Sequence, residues 1–340
     1  MLEQMQDLEV ERVVLWRDAA SGLEAILVID DVTLGPAAGG VRTRAYRSPG
    51  DALADATALA RAMTVKCALA GLAAGGGKCV VLDHAGLDRA RGFRILGERI
   101  AELGGLFRTA GDLGTTAADL AAMASRCPWV HTDESRLAGA VAHGLLRCIE
   151  ACAAIRGVAV AELRVAVQGA GSIGAAVARR LSAAGARLIV ADVHAARAHA
   201  VAGETGAEVG DPAAILTAPV DVIAPCAVGG VIDVGIAQSM QAWAVCGAAN
   251  NVLASPEAED ALIARGILAV PDVIASAGAV IEGIGRTVMQ LADRTPLIEA
   301  LGTTARRILE ESRLTGARPS VIARQMARAQ IAFERARFGA

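Results

Sequence analysis

An α/β protein of two domains is what the sequence predicts, on three observations. At 340 residues the chain is long enough for two cores of ordinary size. Short apolar runs rich in β-branched residues alternate along it with stretches of helical spacing, the pattern of strand-helix units. Past residue 160, a buried strand over 163–168 turns through Gly169-Ala-Gly171-Ser172-Ile173-Gly174 into a helix, as in doubly wound sheets.

Composition narrows the class. The hydrophobic fraction is 54% and the mean hydropathy +0.44, but the excess is alanine and glycine. No uninterrupted run of about 18 strongly apolar residues is present, so no membrane partner is expected. The amino terminus, Met-Leu-Glu-Gln-Met-Gln-Asp-Leu-Glu, is acidic and polar, unlike a signal peptide. A net charge of −3 without a basic block argues against a nucleic-acid partner. The seven cysteines include no Cys-x-x-Cys pair and read as small buried hydrophobes in a reducing compartment, hence a cytoplasmic protein. With the five histidines they make no metal-ligand pattern, and no metal is expected.

In chain order, 13–16 and 23–29 read as paired strands joined by Asp18-Ala-Ala-Ser-Gly22. Gly35-Pro-Ala-Ala38-Gly39-Gly40 reads as a glycine-rich loop too long for a simple hairpin. Ser48-Pro49 supplies an N-cap and a first-turn proline, and Leu53, Ala56, Ala60 and Met63 follow at helical spacing, so a helix delivers Lys66 near its end.

The stretch 61–78 holds Lys66 and Lys78 among apolar and glycine residues. Burial depresses a lysine pKa and a second ammonium nearby depresses it further, so the pair can supply one fixed cation and one titrating base. Gly75-Gly-Gly-Lys78 is not a phosphate-binding P-loop, because Leu72 and Cys79 stand where glycine and a hydroxyl residue are required. On spacing alone, a flexible turn with an exposed lysine remains open. Lys78 opens a short strand over 79–82, and Phe93, Leu96, Ile100 and Leu103 mark one face of a helix. A strand over 106–109 leads into Ala110-Gly-Asp112-Leu-Gly-Thr-Thr116, which puts Asp112 at a strand exit, where α/β proteins place reacting groups. By position Asp112 equally suits the cap of a helix beginning near Thr116.

A long helix over 137–156 precedes the glycine motif, and a strand over 187–192 follows it, closing at Asp192. An acid at roughly 20 residues from the last glycine completes the dinucleotide fingerprint. Gly169 allows the turn, Gly171 admits a pyrophosphate to the helix amino terminus, and Gly174 lets helix and strand pack closely. Asp192 would accept the adenosine ribose hydroxyls and repel a 2′-phosphate, which favours NAD over NADP. Further strands are expected over 221–226, 242–246 and 267–270, then two helices broken near Gly316 and Pro319. The domain boundary is placed at Ser135, giving domains 1–134 and 135–340, the last helices able to pack back on the first domain.

Taken together, the motifs resemble the family of glutamate, leucine, phenylalanine and valine dehydrogenases, closest to its leucine/phenylalanine branch. They are Thr33-Leu-Gly-Pro-Ala-Ala-Gly-Gly-Val-Arg42, Met63-Thr-Val-Lys66, Gly75-Gly-Gly-Lys78, Asp112-Leu-Gly-Thr-Thr116 and Gly169-Ala-Gly-Ser-Ile-Gly174, followed by Ala224-Pro-Cys-Ala227, Gly247-Ala-Ala-Asn-Asn251, Pro271-Asp272 and Ala277-Gly278. The resemblance implies an N-terminal mixed-sheet substrate domain, a Rossmann-like NAD domain, an active site in the cleft between them, and a homo-oligomer, dimer or higher. It implies NAD-dependent, reversible oxidative deamination of a hydrophobic L-amino acid to the 2-oxo acid and ammonium.

By the same resemblance Lys78 would be the general base and Asp112 the proton relay, Lys66 would hold the substrate carboxylate, and Gly39 and Gly40 would lie against the substrate. Ala38, Ala110, Ile298 and Leu301 match the side-chain pocket, and Ser276 stands where relatives have a carboxylate-binding asparagine. Gly169, Gly171, Ser172, Ile173, Gly174, Asp192, Cys226, Ala227, Ala248 and Asn250 would bind the cofactor. Val141, Ser276 and Glu282 depart from the family pattern. An NAD-binding homologue without turnover, or a dehydrogenase for another imine or hydroxyl substrate, are the competing readings.

Overall fold

The computed structural model describes residues 8–338, so the reading of the amino-terminal residues as no signal peptide lies largely outside it. The chain divides into two compact units. One takes residues through Glu134, with Gly283–Gln290 and the stretch from Ala327; the other takes Ser135–Glu282 and Leu291–Met326.

The first unit is built on a mixed five-stranded sheet in the order β1-β2-β4-β3-β5. Its strands are β1 (Arg12–Asp18), β2 (Leu23–Asp31), β3 (Ala37–Arg44), β4 (Gly75–Leu82) and β5 (Phe107–Gly111). Antiparallel pairing joins β1 to β2 and β2 to β4, and parallel pairing joins β4 to β3 and β3 to β5. The side-chain period of two sorts the strands onto two cores. Leu27, Ile29, Val41, Cys79 and Val81 meet Phe93, Leu96 and Ile100 of helix α2 (Arg89–Ala101) and Leu120 and Met123 of α3 (Ala117–Ala124). On the opposite face Ile26, Val28 and Val80 meet Ala52, Ala56 and Ala60 of α1 (Pro49–Leu69). Ser48 caps α1 by accepting from the Asp51 amide at 3.1 Å, and Pro49 opens it.

Two sequence expectations are corrected here. The stretch 35–40, read as a loop, runs into strand β3, which starts at Ala37 and pairs on both sides. Likewise β4 starts at Gly75, three residues before the Lys78 start expected. Glycine is disfavoured in strands and so misleads a propensity reading, but these positions have no room for a side chain. A Cβ on Gly39 would lie 1.8 Å from the Gly77 carbonyl oxygen, and one on Gly76 would lie 2.2 Å from the Thr64 amide nitrogen in α1.

The second unit carries a six-stranded sheet in the order β11-β10-β9-β6-β7-β8. Its strands are β6 (Arg164–Gln168), β7 (Arg187–Ala191), β8 (Glu208–Val209), β9 (Val222–Pro225), β10 (Ala244–Val245) and β11 (Leu268–Ala269), all paired in parallel. The strand order reverses between β6 and β9, the crevice where doubly wound sheets bind ligands. Helices α4 (Leu137–Arg156), α5 (Ser172–Ala183), α6 (Ala195–Thr205), α7 (Val234–Ser239), α8 (Pro256–Ala264) and α9 (Asp272–Ala275) belong to this unit, with α11 (Thr295–Thr315). Helices α10 (Gly278–Thr287) and α12 (Pro319–Phe338) each carry the chain from one unit into the other. By length and composition α4 is long and apolar enough to cross a membrane, contrary to the expectation from sequence, yet 61% of its apolar window is buried. Its buried residues pack as core, Gly144 lying against Leu301 of α11.

These close approaches set a testable contrast in stability. Gly76→Ala forces its methyl onto the α1 backbone and should destabilise by about 2–3 kcal/mol. Gly203→Ala, inside α6 with open space around it, should stabilise by about 0.5–1 kcal/mol through helix propensity. Urea unfolding of both variants beside the wild type measures the difference, and an equal effect of the two would refute the packing account.

Candidate active site

Alternation along β3 and β4 decides which charged side chains meet. Val41 and Cys79 face α2, so Arg42 and Lys78 face α1, on adjacent strands. Val41 pairs with Gly111 of β5, and the next residue, Asp112, comes beside Arg42. Gly40 leaves the space for it, since a Cβ there would lie 3.0 Å from the Asp112 Cβ. Lys78 Nζ lies 2.8 Å from Asp112 Oδ2, and Arg42 Nε donates to the same oxygen at 2.8 Å. Arg42 Nη1 donates to both Asp55 oxygens at 3.2 Å, and the hydroxyl of Tyr46 donates to Asp55 Oδ2 at 2.7 Å.

Lys78 is 6% exposed and so is held out of water, while Asp112 is half-buried. Burial pushes its pKa below the ordinary lysine value; Asp112 pulls it back up, and Arg42 pushes it down again. For Asp112 burial alone would raise the carboxyl, but Lys78 and Arg42 overcome that and hold it below the usual carboxylate range. The group is therefore an anion clamped between two cations, one of which is able to lose its proton.

Lys66 is also buried, in the last turn of α1. The sequence expectation makes Lys66 the repelling charge on Lys78; among the strongest influences on Lys78 the structure adds the cation Arg42. The sequence shows Arg42 within a motif but gives it no role. Its signal is a charged residue one position after a buried valine, just past a stretch that reads as a loop. The helix after Asp112 is capped by Thr116, whose hydroxyl accepts from the Asp119 amide at 3.2 Å while Asp119 Oδ2 accepts from the Thr116 amide at 2.7 Å. Asp112 is thus released from the capping role its position allowed. Ala38 is fully buried on β3, and Gly39 and Gly40 pair with Thr109 and Ala110 of β5.

In the second unit the turn after β6 is built as the glycine pattern requires. Gly169 has φ +96°, and a Cβ there would lie 2.7 Å from that of Ala227. A Cβ on Gly174 would lie 1.9 Å from the Gly169 carbonyl oxygen and 3.4 Å from the Cys226 Cβ, which gathers these residues at the β6/β9 crevice. Gly171 differs, with nothing within 4 Å of the place a Cβ would take, and it precedes Ser172 and Ile173 in a helix start with no side-chain cap. The first amides of α5 are left to an outside acceptor. Asp192 stands just after β7, its Oδ2 accepting from the Ala170 amide at 2.7 Å and its Oδ1 from the His194 amide at 2.8 Å. Its slight burial would raise the carboxyl, but these two amides hold it below the ordinary range.

Ser276 is brought to Asn250, its hydroxyl 3.4 Å from Asn250 Oδ1 and 2.6 Å from the Asp272 carbonyl oxygen to which it donates. Ala248 is buried. Ile298 and Leu301 sit on α11, buried against Gly144 of α4. Glu282, a departure from the family pattern, pairs with Arg294, and both are buried. All seven cysteines are free, six of them buried. Among the described residues no group of three or more histidine, cysteine or acidic side chains is placed to hold a metal.

Comparison with known proteins bears directly on this arrangement. The sequence profile described as Glu/Leu/Phe/Val dehydrogenase, dimerisation domain, matches residues 9–128, and that of Glutamate/Leucine/Phenylalanine/Valine dehydrogenase matches residues 191–284. A leucine dehydrogenase of Geobacillus stearothermophilus is 37% identical over 290 residues, covering 83% of this chain and 79% of its own. The chain belongs to the Glu/Leu/Phe/Val dehydrogenase family. A valine dehydrogenase of Streptomyces coelicolor is also 37% identical, over 80% of this chain and 78% of its own. The crystal structure of L-tryptophan dehydrogenase from Nostoc punctiforme superposes with a TM-score of 0.86 at 30% identity, covering 98% of this chain and 99% of that one. The sequence motifs point to the leucine/phenylalanine branch, and the relatives named here are leucine and valine dehydrogenases. Membership in the family, with a Rossmann-like unit, makes the protein an amino-acid dehydrogenase that uses a nicotinamide cofactor.

The buried lysine carries a pH signature. Its pKa in the fold lies below the 10.5 of an unperturbed lysine, so between the two values the unfolded chain binds more protons and the unfolding free energy rises with pH. Lys78→Met should flatten that rise in urea titrations over the alkaline range below pH 10.5. Parallel slopes in the two proteins would mean that Lys78 is solvated.

Proposed function

We propose that the protein catalyses reversible, NAD-dependent oxidative deamination of a hydrophobic L-amino acid to its 2-oxo acid and ammonium. The observation that carries the proposal is the Lys78–Asp112 pair at 2.8 Å, its lysine buried on the α1 face of the sheet beside glycine-lined stretches of β3 and β4. A base for this reaction must be neutral near working pH, and burial is what brings a lysine there.

The residues of the second unit fit a dinucleotide. The open space at Gly171, the uncapped start of α5 and the carboxylate of Asp192 at the next strand end supply room, amide donors and a ribose acceptor. Ser172, Ile173, Cys226, Ala227, Ala248 and Asn250 are assigned to the same cofactor. When bound, NAD supplies the acceptor for the hydride that leaves the substrate Cα. Asp192 repels a 2′-phosphate, which is why NAD is preferred over NADP.

The chain's own groups then divide the work. Lys66 holds the substrate carboxylate, and Gly39 and Gly40 let the backbone of β3 approach the substrate. Asp112, kept anionic by its two cations, takes a proton from the substrate amine as the bond to Cα hydrogen breaks. Neutral Lys78 removes a proton from water as its oxygen adds to the imino carbon, and the resulting ammonium side chain returns the proton to nitrogen as ammonia leaves. One water is consumed, two electrons pass with the hydride, the carbinol hydroxyl proton goes to the departing ammonia, and the proton taken by Asp112 is released, so the products are the 2-oxo acid, ammonium, reduced cofactor and one proton.

Two measurements test this. Lys78→Ala should lower kcat for ammonium-dependent oxidation of NADH with a 2-oxo acid by about 10²- to 10⁴-fold while the fold is retained by circular dichroism. Turnover that survives the substitution, or that ignores ammonium, refutes the assignment, as does greater activity on glutamate than on leucine, phenylalanine or tryptophan. Asp192→Ser should lower the NAD-to-NADP ratio of kcat/KM by roughly tenfold or more, and an unchanged ratio would remove Asp192 from cofactor choice.

A further inference from the structure

We propose that Arg42 is a positioning residue for the reaction: by bonding the same oxygen of Asp112 that Lys78 bonds, it lets Lys78 give up its proton without Asp112 taking one. The inference rests on the catalytic reading of Lys78 and Asp112 and adds to it a third, permanently charged partner.

Two buried groups alone could not do this. An isolated lysine-carboxylate pair in a dry site is best balanced as two ions, and removing the lysine proton leaves an unpaired buried anion. The cost falls on the step the reaction needs. A guanidinium stays charged throughout the working pH range, so Asp112 keeps a cation whether or not Lys78 is protonated. Arg42 is built for that duty, with Nε at 2.8 Å from Asp112 Oδ2 and Nη1 at 3.2 Å from each Asp55 oxygen. Two arms at a fixed angle bridge two carboxylates, which a lysine at this position could not do in the same geometry. Asp55, on α1, is fixed in turn by the hydroxyl of Tyr46, the only tyrosine of the chain.

The charged groups with the strongest influence on Lys78 come from three elements, Arg42 from β3, Asp112 after β5 and Asp55 from α1, and α1 also carries the buried cation Lys66 in its last turn. Two are anions that favour the ammonium, and Arg42 opposes them. Loss of Arg42 therefore has a definite sign: Lys78 holds its proton to higher pH.

Arg42→Gln and Arg42→Lys in the full chain provide the test, with two readouts. The first is the pH profile of kcat/KM for oxidative deamination. Its acidic limb should move up by about one pH unit or more in Arg42→Gln, so that activity lost near neutrality is largely recovered at high pH. Arg42→Lys, which keeps a cation but loses the second arm, should fall between that variant and the wild type. The second needs no turnover: competitive acetylation of Lys78, followed by peptide mass spectrometry across pH, should show the same upward displacement in Arg42→Gln. A uniform loss of activity with the limb and the labelling curve unmoved would reduce Arg42 to a structural role and overturn the inference. If the wild type turned over no amino acid while the labelling curve still moved, Arg42 would keep its role toward Lys78 and the reaction assigned to the pair would fall. Should Arg42→Gln fail to fold, an unmoved limb and labelling curve in Arg42→Lys overturns the inference equally.

Discussion

Asp112 Oδ2 accepts from two cationic donors, Lys78 and Arg42, and much of the first unit exists to make that possible. Two side chains from within adjacent strands and one from just past a third must converge where water is scarce, since a solvated lysine has no reason to lose its proton at neutral pH. A sheet flanked by helices does this economically. Strand pairing fixes the spacing of β3, β4 and β5, and alternation sends Arg42 and Lys78 to the α1 face. Asp55 on α1 then faces Arg42 from across that layer.

The geometry exacts a steric condition. Strands that bring charged groups this close cannot carry side chains at the neighbouring positions, and the glycines at 39, 40, 76 and 77 meet that condition one by one. The oxygen of Gly77 fills the space beside Gly39, α1 fills that beside Gly76, and Phe107 and Ala37 fill that beside Gly77. Glycine inside strands weakens them through backbone entropy, yet here four central pairings and two hydrophobic cores hold the sheet. The same filling also makes the site stiff, because closely packed backbone has nowhere to move.

Much of the second unit was legible because its residues obey local rules. Gly169, Gly171 and Gly174 lie within one turn, and an acid closes the next strand, so short-range spacing carries the whole pattern. Helix 137–156 was legible from periodicity alone. The first unit hid its organisation in long-range pairing. The start of β3 over 37–40 looked like loop because it ends in two glycines, and only its partners on both sides reveal a strand. With that strand unread, Arg42 had no face and no neighbours, so its charge beside Lys78 went unassigned. Asp112 was located correctly at a strand exit, but its separation from the helix cap needed Thr116 and Asp119 to be seen bonded to each other.

Glycine richness therefore means two different things in this chain, and the space beside each residue tells them apart. Where the chain's own backbone occupies the place of a Cβ, as at Gly39, Gly76 and Gly174, the glycine serves packing and its loss is felt first in stability. Where that place is open, as at Gly171 before a helix start with no side-chain cap, packing gives no reason to exclude alanine. At Gly171 the open place comes before helix amides left without a side-chain cap, where the partial positive charge favours an anion, whereas the open place at Gly203 lies inside α6 and carries no such demand. On the proposed assignment a pyrophosphate approaches those amides, and Asp192 just after β7 meets a ribose. Open space at Gly171, set against filled space at Gly169 and Gly174, supports that assignment on grounds of room as well as of motif.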